Sequence, residues 1–125
     1  MCTLSIPRPG EVVKAWMPET EEVCSPGRKF RPVFVVATDD RNGRTEVLCV
    51  YGTSQNIDRI GRGEFVVSCS DLPLEKPTKF SFRKMFWLPL DKTYFTDYEQ
   101  QVSFGNLPVK YRRMLAFAAK EAGLG

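Results

Sequence analysis

The pattern of apolar and polar positions predicts a chain built mostly from short β-strands. Its most continuous apolar run, Val33 to Val36, directly follows Arg31-Pro32 and is typical of a central strand buried on both faces. Proline suits the start of such a strand because it need not donate a ladder hydrogen bond there. The segment 39–43 then predicts a turn, since it ends in Asn-Gly, and a return strand follows over 45–51.

Other segments of similar pattern predict further strands on either side of this hairpin. A polar stretch from Glu19 to Lys29 predicts a long loop before Arg31. The remaining predicted strands are Gly10–Met17, Glu64–Ser68, Phe80–Leu88 and a short one at Val102–Phe104.

Apolar residues near the C-terminus recur with the period of a helix and not with that of a strand. Tyr111, Leu115, Ala118 and Ala122 recur at helical spacing, Pro108 suits the first turn, and a glycine follows as a stop signal. The fold class predicted is therefore mainly β with a C-terminal helix (α+β). Strands this short, in meander order, suit a small curled barrel.

Composition supports one folded domain over residues 1–125. Of its 125 residues, 42% are hydrophobic and 26% are charged, which is ordinary for a folded domain. The net charge of +3 permits a nucleic-acid partner without requiring one. No apolar run is long enough to span a bilayer, and the N-terminal segment lacks the pattern of a signal peptide. We therefore expect a cytoplasmic protein with no membrane partner.

The chain contains no histidine, and this excludes more kinds of catalytic and metal site than any other feature of the composition. Ser-His-Asp and Cys-His catalysis and histidine-containing zinc sites are excluded. The four cysteines form no C-x-x-C pair, and we expect them to be reduced thiols. We expect no metal and no cofactor, so catalysis would depend on Arg, Lys, Asp, Glu, Ser, Thr, Tyr or Cys.

Three short motifs follow one another in order. They are Gly10-Glu11-Val12-Val13, Lys29-Phe30-Arg31-Pro32-Val33-Phe34-Val35-Val36 and Tyr51-Gly52-Thr53-Ser54-Gln55. Together they resemble the MazF/PemK family of toxin endoribonucleases from type II toxin–antitoxin systems. The resemblance covers Gly10 to about Ser70, is looser over 80–95 and is weak for the terminal helix.

This resemblance implies an SH3-like barrel that forms a homodimer and has a cognate antitoxin, with which it forms a DNA-binding complex. It implies metal-independent, sequence-selective cleavage of single-stranded RNA, leaving 2′,3′-cyclic phosphate and 5′-OH ends. Such cleavage needs a proton acceptor for the 2′-OH, a cation for the phosphate and help for the leaving oxygen.

The resemblance places Arg31 and Thr53 together at the catalytic site, with Ser54 beside them. A guanidinium offers phosphate a fork of donors, and the predicted hairpin brings Arg31 and Thr53 to the same end of the sheet. Arg83, or its neighbour Lys84, is the nearest match to a late-strand arginine of some family members. The alternatives are a surface salt bridge for Arg31 and turn hydroxyls that bond their own backbone for Thr53 and Ser54.

Candidate substrate-binding residues border these positions or belong to a basic and aromatic stretch from Lys79 to Trp87. Alternation there predicts Phe80, Phe82 and Lys84 on one face, although aromatic side chains can equally form core or a dimer interface. The candidates are Trp16, Glu19, Lys29, Gln55, Lys79 and Lys84.

The general base is not assigned by the sequence. Glu19, Glu21, Glu22, Asp58 and Asp91 are all candidates, although charge runs are usually solvated faces. Two other functions remain open because a small β fold does not determine function. One is a non-enzymatic binding module for protein or nucleic acid, and the other is a toxin that blocks another macromolecule.

Overall fold

A computed structural model describes residues 4–18, 27, 29–98 and 100–124 of the chain. Its strands are β1 (Glu11–Trp16), β2 (Phe30–Arg41), β3 (Arg44–Thr53), β4 (Glu64–Val67), β5 (Thr78–Pro89), β6 (Thr96–Asp97), β7 (Gln100–Gln101) and β8 (Ser103–Asn106). Its helices are α1 (Lys92–Phe95) and α2 (Arg112–Glu121), the latter preceded by a 3₁₀ turn at Val109–Tyr111.

Six of these strands form one antiparallel sheet in the order β4-β5-β3-β2-β1-β8. The prediction of a mainly β chain with a C-terminal helix is confirmed. Hydrogen bonding does not close this sheet into a barrel, because no pairing joins β4 to β8 in the part of the chain that the structure describes. β6 and β7 form a separate two-stranded hairpin. No helix among the described residues is long and apolar enough to cross a membrane.

β2 lies in the middle of the sheet and is buried on both faces, as its apolar run predicts. Phe34 packs into a cluster with Phe65, Phe80 and Phe82, where its ring meets that of Phe65 edge-on at a centroid distance of 5.7 Å. Val33 and Val35, which point to the opposite face, belong to a second cluster. The two faces of one strand therefore hold two apolar cores together.

The terminal helix covers the aromatic cluster on one face of the sheet. Tyr111 and Ala118 are buried there, and Leu115 and Ala122 pack against the same cluster. These four residues are the ones whose helical spacing predicts an apolar face, so that prediction is confirmed. The Tyr111 hydroxyl donates to Asp71 and accepts a hydrogen bond from the Ser68 amide at 3.2 Å, which joins the helix to the loop before β5.

A wide bulge interrupts β5 opposite β3. Tyr51 pairs with Ser81 but the next residue of β3, Val50, pairs with Met85, so residues 82–84 have no partner on β3. The prediction that Phe80 and Phe82 share one face is confirmed, whereas its extension to Lys84 is wrong because of this bulge. Both phenylalanines are buried in the aromatic cluster, whereas the exposed Lys84 lines a surface hollow beside Ser81.

α1 and the β6–β7 hairpin were not predicted from the sequence. The Asp91 side chain caps α1 by accepting from the Thr93 amide at 2.8 Å. The indole N–H of Trp16 donates to the backbone oxygen of Thr96 at 2.8 Å, which ties this small unit to β1.

Candidate active site

A surface hollow lies where β2 begins and β3 ends. Arg31 and Pro32 contribute from β2, and Gly52, Thr53 and Ser54 contribute from the end of β3. The other lining residues come from β1, the start of β2, the loop before β5, the start of β5, and β8: they are Lys14, Phe30, Glu75, Lys76, Thr78 and Phe104. We call this the Arg31 hollow.

The hairpin register brings Arg31 and Thr53 together. The paired residues of β2 and β3 nearest the hollow are Val33 and Tyr51. The same register continued by two residues sets Arg31 opposite Thr53, and both line the hollow. Gly52 permits this close approach of the strands, because a Cβ there would lie 2.6 Å from the Pro32 carbonyl oxygen.

Several cations in or beside the Arg31 hollow are not committed to protein anions. The Arg31 guanidinium carbon lies 5.8 Å from the centroid of the Tyr51 ring, and the Lys84 ammonium lies 5.4 Å from the same centroid. Neither side chain makes a hydrogen bond or ion pair with another described residue, so the salt-bridge alternative for Arg31 is not found there. Because Tyr51 holds them through its ring and not through a charge, both remain available to an anion.

Lys14 adds a third cation on the β1 side of the hollow. Its ammonium lies 5.9 Å from the ring centroids of both Phe30 and Phe104. The hollow therefore combines positive charge with partly buried aromatic rings, which is the combination that single-stranded nucleic acids favour.

Thr53 ends β3 with a hydroxyl that has two possible uses. Its Oγ1 accepts a hydrogen bond from the Gln55 amide at 3.1 Å, so the turn-hydroxyl interpretation is confirmed for this residue. The hydroxyl keeps its own proton to donate, because a threonine oxygen is both donor and acceptor. The turn thus orients the Thr53 hydroxyl at the hollow without consuming its donor.

A second hollow adjoins the first and shares Thr53 with it. It is lined by Tyr51, Thr53, Gln55, Asn56, Glu64, Lys79, Ser81 and Lys84. Lys79 is almost buried here, and its ammonium donates to the carbonyl oxygens of Asn56 at 3.0 Å and Arg59 at 2.8 Å. Lys79, predicted to bind substrate, is therefore engaged in holding the 54–63 loop.

Other predicted site residues lie outside the Arg31 hollow. Arg83 lies beside Gly63 and near the C-terminal end of α2, because a Cβ placed on Gly63 would meet the Arg83 Cγ at 3.2 Å and the Ala122 Cβ at 3.1 Å. The Trp16 ring packs against Phe30 at a centroid distance of 5.0 Å, tilted by 31°, but does not itself line the hollow.

Of the remaining predicted site residues, some line the second hollow and others line neither hollow. Gln55 and Lys84 line the second hollow. Lys29 is exposed just before β2 and lines neither hollow, nor do Asp58 and Asp91. Glu19, Glu21 and Glu22 lie outside the described residues.

Five residues that line the two hollows were not predicted from the sequence: Lys14, Tyr51, Glu75, Lys76 and Phe104. Lys14 and Phe104 come from strands on the far side of β2, and their approach depends on sheet order. Glu75 and Lys76 lie between two prolines in a segment whose pattern predicts only a loop.

No three His, Cys, Asp or Glu side chains are grouped for metal binding within the described ranges. Comparison of the chain with models of protein families and with curated proteins gives no match. The function is therefore inferred from the chemistry of the Arg31 hollow and from the three motifs, of which the second and third contribute residues to its lining.

Proposed function

We propose that this chain is a MazF/PemK-like toxin, a metal-independent endoribonuclease that cleaves single-stranded RNA at selected sequences. The observation that carries the proposal is the Arg31 hollow, which combines Arg31, the hydroxyls of Thr53 and Ser54 and further cations in one solvent-facing depression. A phosphodiester is the ligand that such a donor set suits, because it is anionic and offers several acceptor oxygens.

Each group has a role in the proposed reaction. Arg31 binds the oxygens of the scissile phosphate and stabilises the charge that grows on them as the 2′-oxygen attacks. Thr53 and Ser54 donate hydrogen bonds to the same phosphate or to the ribose. Lys84 and Lys14 attract the flanking phosphates, and their effect weakens with added salt.

The aromatic walls favour a single strand over a duplex. Phe30 and Phe104 flank Lys14 at one side of the hollow, and both are partly buried. Unpaired bases can stack on such rings, whereas bases inside a duplex are already stacked on one another.

The resemblance to the same family also supports proposals about the fold, the oligomeric state and the partner. We propose that the bulged sheet has an SH3-like strand arrangement that stays open between β4 and β8. We further propose a cytoplasmic homodimer, neutralised by a cognate antitoxin in a complex that binds DNA. These proposals rest on the three motifs and on the small, mainly β fold.

The test is an RNase assay on a long single-stranded transcript with EDTA present, comparing wild type with Arg31→Ala and Thr53→Ala. Removing a donor to the developing phosphate charge is expected to lower kcat about 10²–10³-fold. Thr53→Ser, which keeps the hydroxyl, should retain most activity, and Arg113→Ala on the exposed side of α2 should retain all of it.

Two results would contradict the proposal in different ways. Full activity in both alanine variants would refute the site. RNA binding that needs Arg31 but leads to no cleavage by wild type would favour the non-enzymatic binding module instead. Growth arrest on expression without any RNA cleavage would favour a toxin that blocks another macromolecule.

A further inference from the structure

We propose that Glu75 is the general base that removes the proton from the attacking 2′-OH. This inference rests on the proposed endoribonuclease function and supplies the group that the sequence left unassigned. Among the described residues that line the Arg31 hollow, Glu75 is the only carboxylate, and it shares the hollow with Arg31 and Thr53.

Glu75 is uncommitted, unlike the best-placed acidic residues around it. Glu64 accepts a hydrogen bond from the Gly61 amide and pairs with Lys79 at 3.6 Å. Asp71 accepts from Tyr111 and pairs with Lys110 at 2.6 Å. Glu75 is exposed and makes no hydrogen bond or ion pair with another described residue. Its carboxylate can therefore accept a proton without a structural bond being broken.

The backbone on both sides of Glu75 is anchored. Leu74 is buried in the aromatic cluster, and its amide donates to the Leu72 carbonyl at 2.7 Å. On the other side, the Thr78 hydroxyl donates to the Lys76 carbonyl at 3.1 Å, and Thr78 begins β5. An exposed acid between two fixed points projects from the rim of the hollow with little backbone freedom, which limits the entropy lost on reaching the substrate.

The proposed step is balanced within the RNA, the protein and water. The Glu75 carboxylate takes the 2′-OH proton, the 2′-oxygen forms a bond to phosphorus, and the bond from phosphorus to the 5′-oxygen breaks. The departing 5′-oxygen takes a proton from a water molecule, and Glu75 later returns its proton to the hydroxide so formed. Arg31 stabilises the additional negative charge on the phosphate oxygens between these events.

The experiment separates chemistry from binding. The cleavage site is first mapped on a transcript, and a short RNA spanning it is made with and without a 2′-deoxy nucleotide at that position. Glu75→Gln is expected to lower the single-turnover rate about 10²–10⁴-fold. Its affinity for the uncleavable 2′-deoxy analogue should be unchanged or slightly higher, because a negative charge is removed beside a phosphate.

Matched variants distinguish a base from a structural residue. Asp39→Asn, at an exposed acid that lies in neither hollow, should cleave at the wild-type rate. Glu75→Ala should be inactive but partly rescued by added formate, which supplies a carboxylate in solution. Circular dichroism and Tm check that each variant is folded.

The outcomes separate this inference from the proposed function. Cleavage by Glu75→Gln within about threefold of wild type would overturn the role of Glu75 and leave the endoribonuclease proposal intact. If Glu75→Gln cleaves slowly and its affinity for the 2′-deoxy analogue falls by a similar factor, Glu75 is a structural residue and not the base. The same conclusion follows if formate does not rescue Glu75→Ala. No cleavage by wild type would overturn both proposals.

Discussion

Replacing Lys79 with methionine tests whether this lysine binds substrate or holds the protein together. Methionine keeps the aliphatic length of the side chain and removes its charge. The ammonium donates to the carbonyl oxygens of Asn56 and Arg59 and lies 3.6 Å from a carboxylate oxygen of Glu64. Only about 10% of the Lys79 side chain is exposed, so these bonds are shielded from water.

The expected loss of stability follows from these contacts. A hydrogen bond from a charged donor contributes about 1.5–3 kcal/mol, and Lys79 makes two to carbonyl oxygens. Water replaces part of that contribution at the exposed loop, so we expect a net loss of about 2–3 kcal/mol. In a chain of this size that loss lowers Tm by about 8–12 °C.

The assay compares Lys79→Met with Lys84→Met in thermal and urea unfolding, monitored by circular dichroism. Lys84 is exposed and has no hydrogen bond or ion pair to the rest of the described chain, so its variant should lose less than about 0.5 kcal/mol. The same Lys84 variant should bind RNA more weakly. Equal Tm values for the two variants, or a fall of less than about 2 °C for Lys79→Met, would refute this interpretation of Lys79.

Three further predictions concern the core, the strand contact at the hollow and the acid stability. Phe65→Ala, at a fully buried ring, should lose about 3–5 kcal/mol in urea unfolding, whereas Phe117→Ala, 67% exposed, should lose little. Gly52→Ala places a methyl 2.6 Å from a backbone oxygen of β2, so it should cost about 1–3 kcal/mol or more and impair RNA cleavage.

The hydrogen bond from Lys110 is the main cause that lowers the pKa of Asp71 from 3.8. Because the folded pKa is the lower one, this bond stabilises the fold above about pH 3.8 and its contribution is lost as the pH falls further. Asp71→Asn should therefore flatten the acid limb of stability against pH, and an unchanged limb would contradict this.

Local sequence patterns determined most of the strands and the terminal helix. Val33 to Val36 predict a central strand because a continuous apolar run must be buried on both sides, and both faces of β2 are buried. The Asn42-Gly43 turn sets the pairing of β2 with β3 as far as Ala37, and a one-residue shift between Ala37 and Val35 then sets Arg31 opposite Thr53. The approach of the two strand ends is local in sequence and could be predicted, whereas the shift could not.

Tertiary structure alone decided the rest of the site. The bulge of β5 places Lys84 in the second hollow and Arg83 beside Gly63, and side-chain alternation does not predict three extra residues in a strand. Lys14 reaches the hollow because β1 pairs with β2 and sets Lys14 opposite Pro32, a pairing that no local pattern predicts. Glu75 reaches it because buried leucines fold its loop against the aromatic cluster.

Some features could be predicted and others could not because the interactions that determine them act over different distances along the chain. Turn geometry and side-chain periodicity act over a few residues and are therefore visible in the sequence. Sheet order, bulges and the path of an anchored loop depend on how distant segments share one core, and only the folded chain shows that. The Arg31-Pro32 strand and its return partner were determined by the sequence. Glu75, the proposed proton acceptor, lines the same hollow only because Leu72 and Leu74 pack into the aromatic cluster.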